Sequence, residues 1–355
     1  MATNLGIIEG FYGPMWTWEE RRRLVRTLAP HGYGFYLYAP KADAFLRRRW
    51  QEPHPAEQAA ELAGFARFCR AEGVRFGVGL SPYELFNHFD DDGRAALARK
   101  LGQLDALGIE ELAILFDDMR ADVPDLAQTQ AEILRWVRTH TSVRQLSVCP
   151  SYYSDDPVLD RVFGARPTDY LSELGRRLAH DINIFWTGEE VCAREITPGH
   201  LKRVTDLLGR KPVLWDNYPV NDGDRMSRHL HLRGFTGRPA NNAAHLAGHG
   251  INPALQPTLT TIPAITLAES YRLGPDYQYG QAFRHAAREV LGRDLASQLE
   301  ADLLTLQDGG LSRLGAEKRQ SLEAIYGGFD HPAATEILRW LRGDYQVTDE
   351  MVATQ

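Results

Sequence analysis

Short β-branched or aromatic runs, each followed by a stretch with helical spacing, recur about eight times along the chain. The pattern predicts strands near residues 5 to 10, 33 to 39, 74 to 80, 111 to 116, 144 to 149, 182 to 186, 212 to 216 and 249 to 252. Two helices are marked most clearly. Thr17 and Glu20 stand in capping-box relation ahead of Leu24, Val25 and Leu28, and Arg21, Arg22 and Arg23 read as the solvated face of that helix. Leu97, Leu101, Leu104 and Leu107 share one helical face, which Gly108 ends.

Eight such units closing on themselves predict an α/β fold, a (β/α)8 TIM barrel of about 250 residues. The barrel is expected over residues 1–275. Residues 276–355 read as a helical C-terminal region, with Leu295, Leu299, Leu303 and Leu306 in helical register, then Ala334 to Leu341, and breaks at Gly309-Gly310 and Gly327-Gly328. An open doubly wound sheet would want a glycine-rich phosphate turn after its first strand. The first turn here is Glu9-Gly10-Phe11-Tyr12-Gly13-Pro14, aromatic and closed by proline.

Composition narrows the partners. With 40 Lys and Arg against 47 Asp and Glu, the net charge of −7 makes nucleic acid and anionic membranes unfavourable partners. Cys69, Cys149 and Cys192 are odd in number and far apart, so they suggest neither a disulfide framework nor a thiolate metal site. No signal peptide or membrane-length apolar run is evident, and a cytoplasmic protein is expected.

Active sites of such barrels lie just past the C-terminal ends of the strands. Those positions hold Gly10 and Tyr12, Lys41, Ser81 and Tyr83, Asp117 and Asp118, Tyr152 and Tyr153, Trp186 and Thr187, Trp215, Asn217 and Asp222, and Asn252. The apolar run 112–116 leads straight into Asp117-Asp118. Two adjacent carboxylates at a barrel mouth repel one another, so at least one is expected to hold a proton near neutral pH, as a general acid requires. A structural alternative has one aspartate capping the following segment and the other pairing with Arg120. Lys41 could be a surface lysine or a Schiff-base lysine. Tyr12, Tyr153, Trp186 and Trp215 suit the C–H faces of a sugar, whose hydroxyls Asn217, Asp222 and Asn252 could hold. His229 and His231 form an H-x-H pair in a stretch where alternate residues do not converge, so no metal is expected.

Taken together, Gly6-Ile-Ile-Glu-Gly-Phe-Tyr-Gly13, Tyr38-Ala-Pro-Lys41, Leu115-Phe-Asp-Asp118, Cys149-Pro-Ser-Tyr-Tyr153, Phe185-Trp-Thr-Gly188, Leu214-Trp-Asp-Asn217 and Asn221-Asp222 resemble glycoside hydrolase family 84, with Asn252-Pro253 a weaker eighth match. The resemblance covers residues 6 to 222 in family order. It implies a (β/α)8 barrel, retaining removal of terminal β-linked N-acetylglucosamine (GlcNAc) from glycoconjugates, glycopeptides or glycoproteins, and no cofactor. By it Asp118 is the general acid/base, Asp117 orients the substrate acetamide and Tyr153 assists at the anomeric centre. Gly10, Lys41, Asn217, Asp222 and Asn252 hold sugar hydroxyls, and Trp215 walls the acetamide pocket. The chain departs from the family pattern at Ala42, where an acidic residue is common, at Tyr152, often glutamate, and in Asn252-Pro-Ala-Leu255. Two other functions stay open: a barrel that binds GlcNAc without turning it over, and a Schiff-base aldolase using Lys41.

Overall fold

The computed structural model describes residues 4–355. Eight strands, β1 (Leu5–Glu9), β2 (Tyr33–Tyr38), β3 (Arg75–Leu80), β4 (Glu111–Leu115), β5 (Gln145–Cys149), β6 (Asn183–Trp186), β7 (Val213–Asp216) and β8 (Gly248–Ile251), pair in parallel in sequence order. β8 pairs with β1, and the barrel is closed. All eight fall where the hydrophobic pattern puts them, because a strand covered on both faces is a continuous apolar run.

The connections are less regular than the strands. α1 (Trp18–Leu28), α2 (Ala56–Ala71), α3 (Asp91–Ala106) and α4 (Leu126–His140) follow β1 to β4. Two short helices, α5 (Pro157–Phe163) and α6 (Tyr170–Arg177), follow β5, and α7 (Pro198–Leu208) follows β6. Between β7 and β8 only short 3-10 turns occur, Met226–Arg228 and Ala240–His245. Pro219, Gly223, Gly234, Gly237 and Pro239 interrupt helical spacing there, and the segment becomes a long loop over the barrel mouth. After α8 (Pro257–Leu273) come α9 (Tyr279–Leu303), α10 (Ala316–Gly327), α11 (Pro332–Arg342) and α12 (Asp349–Thr354).

The capping box of α1 forms as its sequence predicts, with Thr17 accepting from the Glu20 backbone N–H and Glu20 reaching back to Thr17. One expectation about α1 fails. Arg21 is buried, not solvated, and its guanidinium pairs with the buried Glu9 carboxylate of β1 at 2.6 Å. Buried charges persist only when paired, so Glu9 draws this one arginine inward while Arg22 meets the half-exposed Glu61.

Candidate active site

Ten of the eleven candidate residues converge on one cavity of about 160 Å³ at the C-terminal mouth of the barrel: Gly10, Tyr12, Lys41, Asp117, Asp118, Tyr153, Trp215, Asn217, Asp222 and Asn252. Strand geometry alone would point successive side chains to opposite faces. Just past β4 that rule is broken, because Asp118 takes a left-handed backbone (φ 57°). Both carboxylates then reach Lys41, whose Nζ lies 2.5 Å from Asp117 Oδ2 and 3.1 Å from Asp118 Oδ2. The Tyr153 hydroxyl donates to Asp118 Oδ1 at 2.9 Å, the Tyr12 hydroxyl donates to Oδ2 at 3.0 Å, and Arg47 donates to the Asp118 carbonyl at 3.0 Å. Asp117 Oδ1, by contrast, is buried and has no hydrogen-bond partner among the described residues.

These contacts correct the expected electrostatics. Burial works to raise the Asp118 pKa, but Lys41, Arg47 and the Tyr153 hydroxyl more than offset it and hold the carboxyl down at about 2. Like-charge repulsion therefore does not leave Asp118 protonated near neutral pH in the free site. Lys41 is in turn held well above the ordinary lysine range: burial opposes its charge, and the two aspartates outweigh burial. An amine held in its protonated form is a poor Schiff-base nucleophile. The structural alternative for the pair is not adopted either. Arg120 pairs with the exposed Asp122, and Asp125 stands at the N-terminus of α4.

The far side of the cavity is built from neutral groups and one carboxylate. Parallel register sets Asp216 of β7 beside Ile251 of β8, which makes neighbours of the residues that follow them. Asn252 Nδ2 donates to Asn217 Oδ1 at 3.0 Å, its Oδ1 accepts the Gly10 N–H at 3.2 Å, and Asn217 Nδ2 donates to the Val191 carbonyl at 2.8 Å. Gly10 is required by contact, since a Cβ there would lie 2.2 Å from the Trp215 indole. Phe185 meets that indole edge-on, with centroids 5.5 Å apart. Below it Asp216 is locked by Arg238 at 2.7 Å and His249 at 3.0 Å, which fixes the end of β7. Asp222 accepts the Tyr12 backbone N–H at 2.8 Å, and burial pushes its carboxyl up to about 6.

The structure places the eleventh candidate, Trp186, outside the cavity. It is fully buried, and its indole N–H donates to His200 of α7 at 2.9 Å. Strand alternation turns Trp186 to the helical layer, and the next residue, Thr187, lines the cavity instead. Cys149, Val191, Cys192 and Val220 also line it without having been singled out. Arg47 was hidden in the run Arg47-Arg48-Arg49, which reads as a solvated surface yet sends its first member inward. Tyr152 turns away, its hydroxyl donating to the Gly164 carbonyl. His229 and His231 face two different carbonyls, those of Gln307 and Pro219. Among the described residues no helix is long and apolar enough to cross a membrane.

A family model for β-N-acetylglucosaminidase matches residues 5–306, the whole barrel and α9 but none of α10 to α12. Two curated relatives, the protein O-GlcNAcases of Mus musculus and Rattus norvegicus, are each 29% identical over 276 residues, 75% of this chain. The chain spans about 30% of the length of these relatives. Among solved structures, an aspartate-to-asparagine mutant of the Thermobaculum terrenum O-GlcNAc hydrolase superposes with a TM-score of 0.79 at 27% identity, covering 97% of this chain and 81% of that one.

Proposed function

The chain belongs to the β-N-acetylglucosaminidase family, and from that membership and the cavity's donor set we propose that it removes terminal β-linked GlcNAc with retention, by substrate-assisted catalysis through an oxazoline intermediate. The observation that carries this reading is Asp117 Oδ1, a buried acceptor with nothing to accept. A buried carboxylate oxygen left unpaired is costly, and an acetamide N–H is the donor that would satisfy it.

In this mechanism the acetamide oxygen attacks C1 as the C1–O bond to the aglycone breaks. Asp117 accepts the acetamide N–H, which raises electron density on the attacking oxygen, and Trp215 walls the pocket that holds the acetyl group in line. Asp118 gives its proton to the leaving oxygen, and Tyr153, which donates to Asp118 Oδ1, orients that carboxyl and steadies the anomeric centre. In the second step Asp118 takes a proton from water, whose oxygen attacks C1 from the face the aglycone left and opens the oxazoline ring, giving the retained β product. The free site holds Asp118 ionised, the form the second step needs. To serve as acid it must take up a proton from solvent as the substrate binds, when the displacement of water from the cavity makes the ionised carboxylate costlier. Gly10, Lys41, Asn217, Asp222 and Asn252 hold the hydroxyls, and Tyr12 offers its ring to a C–H face of the sugar. No cofactor enters any step.

The substrate is a GlcNAc-bearing glycoconjugate, glycopeptide or glycoprotein, in a cytoplasmic setting that suits the three free thiols Cys69, Cys149 and Cys192. Release of chromophore from an aryl β-N-acetylglucosaminide and from the matching β-glucoside tests the reading. The glucoside is expected to be inert, and the rate is expected to fall steadily as the acetyl methyl is fluorinated. Efficient glucoside cleavage, or a rate indifferent to fluorination, would mean that a protein carboxylate such as Asp222 attacks C1. Binding without any turnover would select the non-catalytic alternative.

A further inference from the structure

Asp222 sits in the long loop between β7 and β8, held on its N-terminal side by the buried Asn221, whose Nδ2 donates to the His229 carbonyl at 2.9 Å and whose Oδ1 accepts the Leu255 N–H at 2.9 Å; its C-terminal side has less support of its own. The turn just after it, residues 223–227, is closed by one backbone bond from the Ser227 N–H to the Gly223 carbonyl at 2.8 Å. Two further bonds arrive from the far end of the chain. The Trp340 indole N–H, from α11, donates to the Ser227 carbonyl at 3.1 Å, and the Val347 N–H donates to the Ser227 hydroxyl at 3.1 Å. All three residues are fully buried, so water cannot replace either bond without opening the contact. The same C-terminal region touches the other two loops of the far wall. Val347 packs against Gly13, one residue past Tyr12, so closely that a Cβ on Gly13 would lie 2.8 Å from it. Glu336 of α11 accepts the Thr258 and Leu259 N–H groups at 2.8 and 2.9 Å, at the start of the helix that follows Asn252.

We infer that Ser227 and Trp340 are positioning residues for Asp222, through which the C-terminal helices set the affinity of the cavity for the sugar. The geometry supplies the route: the Trp340 bond fixes the carbonyl at the end of the turn, the Val347 bond fixes its hydroxyl, and the turn fixes the residue that precedes it. A site held by side chains on a loop is only as well placed as the shell supporting that loop. The inference rests on the reading of Asp222 as a ligand of sugar hydroxyls.

The test uses the full chain and the thiazoline mimic of the cyclised intermediate as the probe of binding. Trp340→Phe keeps an aromatic ring and removes the N–H donor, and Ser227→Ala removes the hydroxyl that accepts from Val347 and that also donates to the Asp224 carbonyl within the turn at 3.3 Å. Each is expected to weaken thiazoline binding about fivefold, the scale of one lost hydrogen bond, and to raise KM by a similar factor. The dependence of kcat on leaving-group quality should stay unchanged, because Asp118 is not reached. In an Asp222→Ala background the same substitutions should cost nothing further, since residues that act through one another are not additive. A fivefold loss that persists without the Asp222 carboxylate, or no loss in either single variant while Asp222→Ala weakens binding, overturns the positioning role and leaves the sugar-ligand reading intact. If Asp222→Ala itself binds the thiazoline as tightly as the unaltered chain, the sugar-ligand reading falls and the inference with it. Should Trp340→Phe not fold, Ser227→Ala carries the whole test.

Discussion

Asp118 and Asp222 are set deep in the same cavity, each opening partly onto it, and burial works on both in the same direction. Yet Asp118 is held at about 2 while Asp222 rises to about 6. The difference lies in the partners. Asp118 faces the Lys41 ammonium, the Arg47 guanidinium and two phenol hydroxyls, whereas Asp222 has the Tyr12 backbone N–H and no cation in contact. Tyr12 joins the two, its hydroxyl on one carboxylate and its N–H on the other. The cavity thus has a charge-dense end, suited to moving a proton, and a charge-poor end, suited to gripping hydroxyls. Desolvation prevails at Asp222 and is overruled by the cations at Asp118.

The largest effect should come from the charge-dense end. Asp117→Asn and Asp118→Asn are each expected to lower kcat/KM by on the order of 10²- to 10⁴-fold on substrates with poor leaving groups. They should separate as the leaving group improves. Asp118→Asn recovers, because an aglycone that departs unaided needs no proton, while Asp117→Asn stays slow, because acetamide attack is still impaired. A kcat/KM series over aryl aglycones of graded acidity checks this, and parallel losses in both variants would erase the proposed division of labour.

Lys41→Met breaks the comparison from the other side. Removing the cation should let burial act on Asp118 as it does on Asp222, raising the Asp118 pKa by about 1 to 3. In the unaltered chain Asp118 is depressed, so its contribution to stability is present above the ordinary aspartate pKa and is lost as pH falls through about 2. With its folded-state value brought near the unfolded aspartate value of about 3.9, Asp118 should contribute little to that loss in Lys41→Met, so the variant's stability should fall less steeply than the unaltered chain's as pH drops below about 4, which acid unfolding followed by circular dichroism would show. An unchanged acid transition would mean that Lys41 does not hold the carboxyl down.

A smaller change is expected at the charge-poor end. A carboxylate accepts hydrogen bonds from sugar hydroxyls more fully than the neutral acid, which must also place a proton. With Asp222 at about 6, kcat/KM should fall as pH drops below 6, and kcat/KM reports the free enzyme. Asp222→Asn is expected to cost about tenfold, the scale of a hydrogen bond to a charged group, and to abolish that limb. A limb that survives in Asp222→Asn belongs to another group.

What the sequence disclosed divides along similar lines. The barrel was legible because each strand is a short, mainly apolar stretch between helical segments, even where it holds a buried polar group such as Ser147 or His249, and the candidate site because strand ends are where a barrel puts its chemistry. Trp186 was misplaced because reading strand ends does not by itself say which of two successive residues faces the cavity. The low pKa of Asp118 was not legible because Arg47 looks like one of three surface arginines, and Lys41 offered no sign in sequence that it would sit between both carboxylates. Arg21 was misread for the same reason, since its partner Glu9 lies on another element. The contacts from Trp340 and Val347 to Ser227 span more than a hundred residues, a distance no local pattern records.

The smallest effect concerns a third carboxylate with no cation, in a place without chemistry. Glu336 is buried and accepts two N–H groups from the first turn of α8, a setting that would favour the ionised form. Burial nevertheless prevails, helped by the like charge of Glu20, and pushes Glu336 up to about 7. The sign follows from linkage. A folded-state pKa above the unfolded value of about 4.3 means that the folded chain binds the extra proton, so the stabilising contribution is full below about pH 4.3 and is lost as pH rises through 7. Glu336→Gln keeps the shape and cannot ionise. The melting temperature of the unaltered chain, measured relative to that variant, should therefore decline between pH 4.5 and 7.5, by roughly 2 °C for each kcal/mol involved. Activity on a good leaving group, compared at one pH below the transition, should change little, since Glu336 touches no cavity residue. A difference in melting temperature that stays flat across this range would mean that the two helix N–H groups hold Glu336 ionised throughout, and that hydrogen bonds without a cation can offset burial after all.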